Sequence, residues 1–146
     1  ITHYNGLFPI WVAIELFTLG MTLNCYRNLK TPLRKNIAKY FNTGIKQLDS
    51  WIECVWYLRN LSAHNMRLYN FNMQKSPKCC NTNFKNFQYS YKIFDVIYVM
   101  KFLFSKKSEW NNFVLPTIHA ILEEFSDFIC LDSYGFPVDW YTKLTI

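Results

Sequence analysis

The stretch LRNLSAHNMRLYN, residues 58–70, closes the longest helical pattern of the chain. Ahead of it, apolar residues recur every three or four positions, which predicts a helix from about Ile45 to Tyr69. The stripe expected to be buried consists of Leu48, Trp51, Val55, Leu58 and Ser62. At about 100° per residue, a different face carries Asn60, His64 and Arg67, with Arg59 beside them. We therefore expect an imidazole, an amide and two guanidinium groups together, a set that can act on a phosphodiester.

Arg59 and His64 fit the Arg-x4-6-His signature of HEPN ribonucleases, and the longer run resembles that of the abortive-infection (Abi) proteins within that superfamily. Two further segments match in the same order. They are residues 8–30, FPIWVAIELFTLGMTLNCYRNLK, and residues 108–140, which begin SEWNNFVLP and end YGFPVDW. The resemblance implies an all-α, HEPN-like helical bundle of about five helices with the motif helix at its centre.

The resemblance also bears on domain organisation, because it spans almost the whole chain. We expect residues 1–146 to form a single HEPN-like domain. Abi proteins of this kind usually carry additional sequence before the FPIWVAIEL segment, and this chain starts at Ile1 without a Met. The expectation is therefore a fragment that lacks an N-terminal portion.

The function implied by the resemblance is a metal-independent endoribonuclease that cleaves single-stranded RNA and leaves a 2′,3′-cyclic phosphate. Its biological role would be phage defence by abortive infection, or a toxin–antitoxin function. No cofactor is expected, while an antitoxin or a regulatory RNA is a possible partner. Because the chain carries one motif, a homodimer would supply a second Arg–His set to a shared cleft. The alternative is a non-catalytic RNA-binding or protein-interaction HEPN module.

The expected catalytic residues are Arg59, His64 and Asn60. His64 would transfer a proton near neutral pH, and Arg59 would stabilise charge on the phosphate oxygens. Asn60 could orient the imidazole or the phosphate, or could be an ordinary amide on a helix face. Arg67 could hold a flanking phosphate or cap the last carbonyls of the helix.

The charge distribution favours a polyanionic partner for the N-terminal side. The net charge is +6, but residues 1–94 hold twelve lysines and arginines against three acids, whereas residues 95–146 hold four lysines against seven acids. A solvated basic surface is the alternative interpretation. With the motif inside the basic half, we expect RNA to contact Arg67, Lys30, Arg34, Lys35, Lys75 and Lys78.

Composition bounds the remaining possibilities. A hydrophobic content of 51% with 19% aromatic residues is typical of a folded core, and no apolar run is long enough to span a bilayer. We expect a soluble cytoplasmic protein with five reduced cysteines and no zinc site. His119 and Glu123 have the i, i+4 spacing of metal ligands but lack a third, so no metal is predicted. Asp49 and Glu53 are expected on a solvated helix face.

The limits of the other helices follow from capping residues, prolines and loop-forming residues in the sequence. Helices are predicted from Pro9 to about Tyr26, from Thr31 to about Phe41, from about Tyr89 to Phe104, and from Ser108 to about Phe128 with a break or kink at Pro116. Residues 70–86 read as a long loop, residues 134–137 as a turn, and the tail around Trp140 is expected to pack on the bundle.

Overall fold

The computed structural model describes residues 9–79, 84 and 87–146. Within these ranges the protein is built from helices and turns without a strand, which confirms the predicted all-α class. The α-helical segments are α1 (Ile10–Glu15), α2 (Leu19–Asn28), α3 (Thr31–Tyr40), α4 (Ile45–Ala63), α5 (Ile93–Met100), α6 (Lys107–Glu109), α7 (Leu115–Glu124) and α8 (Trp140–Leu144). Short 3₁₀ helices follow α5 (Lys101–Leu103) and precede α8 (Leu131–Tyr134).

The first predicted helix is divided in two. Helix α1 ends at Glu15, and Thr18 starts α2 as its N-cap, accepting a hydrogen bond from the Met21 amide at 3.2 Å. The predicted continuous helix from Pro9 to Tyr26 is wrong because this threonine satisfies an amide that would otherwise lack a partner. Helix α2 then packs closely on α4, since a Cβ at Gly20 would lie 3.1 Å from Nε1 of Trp56.

Helix α4 is central, as predicted, because α2, α3 and α5 all pack against it. Its buried side chains are Leu48, Trp51 and Cys54. The prediction is confirmed for Trp51, which is 1% exposed, but is wrong for Val55 and Leu58, which are half-buried. They pack on the edge of a cluster that Cys54 of α4 forms with Met73 and Val96, so the buried face is rotated towards Cys54.

Helices α6 and α7 are joined by a π-helical turn, Trp110–Val114, immediately before Pro116. The Leu115 amide donates to the Trp110 carbonyl, five residues back. Proline lacks an N–H, so the regular ladder is interrupted here, as the sequence predicted. The helix ends at Glu124, four residues before the predicted Phe128.

The C-terminal tail packs on the core, as expected. Leu144 is fully buried, and the Trp110 indole donates to its carbonyl at 2.7 Å. The Lys101 ammonium, 7% exposed, donates to the Lys143 carbonyl and, at 3.4 Å, to that of Thr145. The predicted helix from Tyr89 begins only at Ile93 and continues as the 3₁₀ turn ending at Leu103.

The start of the predicted long loop is tied to the helices. Met73 and Pro77 are buried, the Met73 amide donates to the Tyr91 carbonyl at 2.7 Å, and the Trp51 indole donates to the Lys78 carbonyl at 2.9 Å. Residues 80–83 and 85–86 of that loop lie outside the described residues, as does Cys80.

Three of the cysteines predicted to be reduced, Cys25, Cys54 and Cys130, have free thiols. In the described part of the chain, no helix combines the length and apolarity that a bilayer crossing needs.

Candidate functional site at the end of helix α4

The motif lies where α4 ends, not along its side. The helix stops at Ala63, six residues before the predicted Tyr69, and His64 is its C-cap. Asn65 has a left-handed backbone, with φ of 51°. Its amide donates to the Ser62 carbonyl at 3.2 Å, and the Met66 amide donates to the Leu61 carbonyl at 3.0 Å. This is a Schellman motif with asparagine in the position that glycine usually occupies.

Asn60 is hydrogen-bonded to both Arg59 and His64. Its Oδ1 accepts a hydrogen bond from Nη1 of Arg59 at 3.1 Å, and its backbone carbonyl accepts one from the His64 amide at 3.0 Å. The side chain therefore orients the guanidinium group, while the carbonyl fixes the backbone that carries the imidazole. The sequence predicts that this amide orients the imidazole or the phosphate, or is an ordinary amide on a helix face; the structure shows it bonded to Arg59. Both Arg59 and His64 are exposed.

Arg67 does not share a helix face with Asn60 and His64, so that part of the prediction is wrong. It follows the left-handed Asn65, which turns the chain away from the helix axis. The Arg67 guanidinium lies over the Tyr69 ring at 5.6 Å, and that ring meets Tyr134 edge to face at 6.0 Å. Arg67 therefore extends the exposed motif towards the C-terminal segments.

The basic side chains of the motif have no acidic partner in the part of the chain that the structure describes. Among residues 9–79, 84 and 87–146, no carboxylate forms an ion pair with Arg59, His64 or Arg67. An anionic ligand would not have to displace a carboxylate from these groups.

The other residues predicted to contact RNA fall into two groups. Arg34 pairs with Asp49 at 2.5 Å, and Lys75 pairs with Glu53. Asp49 and Glu53 are thus engaged in ion pairs instead of forming a solvated face, and Lys75 lowers the pKa of Glu53. In the part of the chain that the structure describes, Lys30, Lys35 and Lys78 are exposed and have no acidic partner.

Potential metal ligands do not converge near the motif. His119 Nδ1 and Glu123 Oε2 lie 3.3 Å apart on α7 and form an i, i+4 ion pair. Within the described ranges, no group of three or more histidine, cysteine, aspartate or glutamate side chains could hold a metal ion. The groups that the motif offers for chemistry are therefore an imidazole and guanidinium ions.

Two residues next to the motif were missed in the sequence. Tyr69 and Tyr134 link it to the C-terminal half of the chain through the edge-to-face contact. Tyr69 lies within the motif run and has a positively charged neighbour two residues away, which was a usable signal. Tyr134 is 65 positions further along the chain, and no local pattern indicates its contact.

Comparison with known families supports part of the resemblance. Residues 1–70 match the model of a family described as Abi-like protein. The match extends through α4 and the motif to Asn70. No curated protein and no solved structure matches the chain.

Proposed function

We propose that this protein is a metal-independent HEPN-type endoribonuclease that cleaves single-stranded RNA at the end of α4. The observation that carries the proposal is the Arg59–Asn60–His64 unit, in which Arg59 and His64 are exposed, the half-buried Asn60 bonds to both of them, and no described carboxylate pairs with either side chain. A structural histidine or arginine would be expected to have a protein partner. These side chains instead face solvent, where a phosphodiester can reach them.

The chemistry follows from the groups present. The nucleophile is the 2′-hydroxyl of the RNA, which attacks the adjacent phosphorus in line with the leaving 5′-oxygen. The 2′-oxygen loses its proton as the new P–O bond forms, and the 5′-oxygen gains one as the old bond breaks. The products are a 2′,3′-cyclic phosphate and a 5′-hydroxyl. Because one proton is released and one is taken up, no further reactant is needed.

His64 takes part in proton transfer, and Arg59 offsets the negative charge that accumulates on the phosphate oxygens. The guanidinium is oriented before the substrate binds, because Asn60 Oδ1 accepts its hydrogen bond at 3.1 Å. Such preorganised donors contribute most when charge develops in the transition state. Arg67, exposed beyond the C-cap, is placed to hold a flanking phosphate.

A second copy of the chain completes this site. One imidazole cannot easily both remove and deliver the proton in a single step, whereas two Arg59–His64 sets facing one cleft divide these tasks. Two exposed apolar side chains flank the histidine, Met66 at 53% and Tyr69 at 45% exposure. An isologous contact through these residues would bring the two motifs together.

The biological role that fits is defence by abortive infection, or a toxin controlled by an antitoxin or a regulatory RNA. The support for it is the Abi-like family match, which includes the whole motif. A nuclease of this kind limits phage growth by cutting cellular or phage RNA.

The test compares two histidine variants on labelled single-stranded RNA, each in buffer with and without EDTA. We expect cleavage to persist in EDTA and to be abolished by His64→Ala. His119→Ala is the matched control, since His119 lies on α7 and pairs with Glu123, and it should cleave as the parent does. Full activity of folded His64→Ala refutes the proposal. RNA binding without cleavage by the parent protein would establish the non-catalytic alternative.

A further inference from the structure

A cavity of about 450 Å³ opens between the segment before α5 and the segment before α8. Aromatic rings form much of its wall: Phe87, Tyr89, Phe94, Tyr98 and Phe136. Its volume lies within the range of small-ligand sites, which are typically about 300–1,000 Å³. A planar aromatic ligand is the class that such walls accommodate best, because it can stack on a ring or meet one edge to face.

Polar groups at the same cavity select among planar ligands. Gln88 is exposed and offers both a donor and an acceptor, as the edge of a nucleobase requires. Lys92 and Lys143 add positive charge. Among the described residues, Lys143 is paired with Asp139 at 3.0 Å and Lys92 bonds to neutral oxygens, while Asp132 also lines the cavity. Lys92 therefore keeps its charge for an anionic ligand, and the combination points to a nucleotide.

The wall is held in place before any ligand arrives. Asp95, 1% exposed, accepts hydrogen bonds from the Ser90 amide at 3.0 Å, the Ser90 hydroxyl at 2.8 Å and the Tyr91 amide at 2.8 Å. Tyr91 has a left-handed backbone, with φ of 58°, which is unfavourable for a bulky residue. These bonds hold Tyr91 in that conformation, with its ring stacked on Tyr89 at 5.8 Å.

Gly135 forms the facing side of the cavity and must stay small. Its backbone is left-handed, with φ of 80°, and a Cβ there would lie 2.3 Å from the Ser90 hydroxyl oxygen. The two segments that enclose the cavity thus approach each other too closely for any other residue.

The cavity adjoins the end of the motif run through Lys92, which lines it. Lys92 Nζ donates to Oδ1 of Asn70 at 3.2 Å and to the Asp132 carbonyl at 2.9 Å. Asn70 is the last residue of the motif run, and the neighbouring Tyr69 contacts Tyr134 at 6.0 Å. These two contacts join the cavity wall and the segment before α8 to the end of the motif run.

We propose that this cavity is a base-binding subsite, which takes one unstacked base of single-stranded RNA near the cleaved phosphate. The inference rests on the proposed function and adds to it the reason for a single-stranded substrate. A base held in a duplex cannot enter the cavity, whereas a base in a single strand can rotate into it.

The experiment measures RNA binding by fluorescence anisotropy in a His64→Ala background, so that the substrate stays intact. The probes are a 5′-labelled single-stranded RNA octamer and the same octamer with one abasic nucleotide, moved through each position. One position should lose about tenfold in affinity, as expected for the loss of one stacked base. Gln88→Trp fills the cavity. It should lower the affinity for the parent octamer by a similar factor, and an abasic nucleotide should then have no further effect on affinity.

Gln74→Trp is the matched control, because Gln74 is exposed and does not line the cavity. It should preserve both the affinity and the abasic effect. The proposal is overturned if no abasic position matters, or if Gln88→Trp keeps the parent affinity and the abasic effect. Circular dichroism confirms that each variant is folded.

This binding experiment is separate from the nuclease test. If His64→Ala retains nuclease activity, the binding series is repeated with 2′-O-methyl RNA, which lacks the attacking hydroxyl; loss of the abasic effect in Gln88→Trp then leaves the base-binding subsite standing while the catalytic proposal fails. If His64→Ala abolishes cleavage but no variant changes base binding, the catalytic proposal stands and the base-binding subsite fails.

Discussion

Polar side chains lie both at the end of α4 and at the start of α5, but they are exposed at the first and buried at the second. At α4, Arg59 and His64 are exposed and have no acidic partner among the described residues. At α5, Asp95 is buried and accepts three hydrogen bonds from Ser90 and Tyr91. The buried carboxylate is satisfied by the protein itself, whereas the exposed cations can be satisfied by a ligand.

This difference separates residues that stabilise the fold from residues that are available for activity. A buried charge without partners costs several kcal/mol, so Asp95 is retained with its full set of donors. An exposed cation costs almost nothing to leave without a partner. We therefore expect substitutions at α4 to remove activity with little loss of stability, and substitutions at α5 to do the reverse.

The largest expected effect is that of Arg59→Ala on cleavage. Removing one preorganised donor to a developing charge lowers kcat by about 10²–10³-fold. RNA affinity should fall much less, and the melting temperature should stay close to that of the parent because the side chain is exposed. Single-turnover kinetics at saturating protein separate the two effects. Arg27→Ala, which removes an arginine paired with Glu53 at 3.4 Å, is the control and should leave kcat unchanged.

Next in size is the loss of stability in Asp95→Ala. The variant leaves the Ser90 and Tyr91 amides without their acceptor and frees Tyr91 from its strained backbone. We expect unfolding to become easier by about 3 kcal/mol, measured by urea denaturation. Asp139→Ala is the comparison, because its exposed pair with Lys143 should contribute about 0.5 kcal/mol or less. Equal effects of the two substitutions would contradict the role assigned to Asp95.

Lys101 is a second buried ionisable group, and its contribution to stability depends on pH. Burial lowers the pKa of this lysine to about 8, from the ordinary 10.5 that applies in the unfolded chain. Between these values the unfolded chain keeps the proton that the folded chain has lost, so the lysine makes stability rise with pH across this window. Below pH 8 both states hold the proton, and the contribution is constant.

The matched variant is Lys101→Met, which removes this titration and leaves the other groups in place. Relative to it, the parent should gain about 1–2 kcal/mol of stability from pH 8 to pH 10. Carbonyl acceptors at Lys143 and Thr145 and the nearby rings of Tyr98 and Phe102 stabilise the charged form and limit the gain. Parallel pH profiles of the two proteins would show that Lys101 titrates as an exposed lysine.

The smallest effect is expected for single lysines of the basic half. Lys35→Ala should weaken RNA binding about uniformly across sequences and reduce the salt dependence of log K by about 0.7, the value for one phosphate contact on a single strand. Arg34→Ala should instead lower stability, since it breaks the pair with Asp49. Titrations between 50 and 200 mM salt, with thermal melts alongside, distinguish the two neighbours.

Much of the fold could be predicted from the sequence, because periodicity and caps are local. The order of the helices, the central position of α4 and the packing of the tail all followed from such patterns. The end of α4 was placed too late because Asn65 was treated as a helical residue, although asparagine is the commonest alternative to glycine after a C-cap. Thr18 was overlooked in the same way as the N-cap of α2.

The candidate site could be predicted in its residues but not in its arrangement. Arg59, Asn60 and His64 are close in sequence, so the spacing alone brings them together. The charges that remain available depend on tertiary contacts, such as those of Arg34 with Asp49 and Lys75 with Glu53. No local pattern indicates these pairs, and the same is true of the cavity formed across the segments before α5 and α8.

The most direct test of the central claim is cleavage of an RNA strand that carries one 2′-deoxynucleotide, compared with the all-ribose strand in EDTA. The account predicts that cleavage stops at the phosphodiester on the 3′ side of the substituted nucleotide, where the attacking hydroxyl is missing, and that every other cut leaves a 2′,3′-cyclic phosphate. Mass spectrometry of the fragments identifies both features. Cleavage at the 2′-deoxy position, or activity that disappears in EDTA and returns with magnesium, would contradict it.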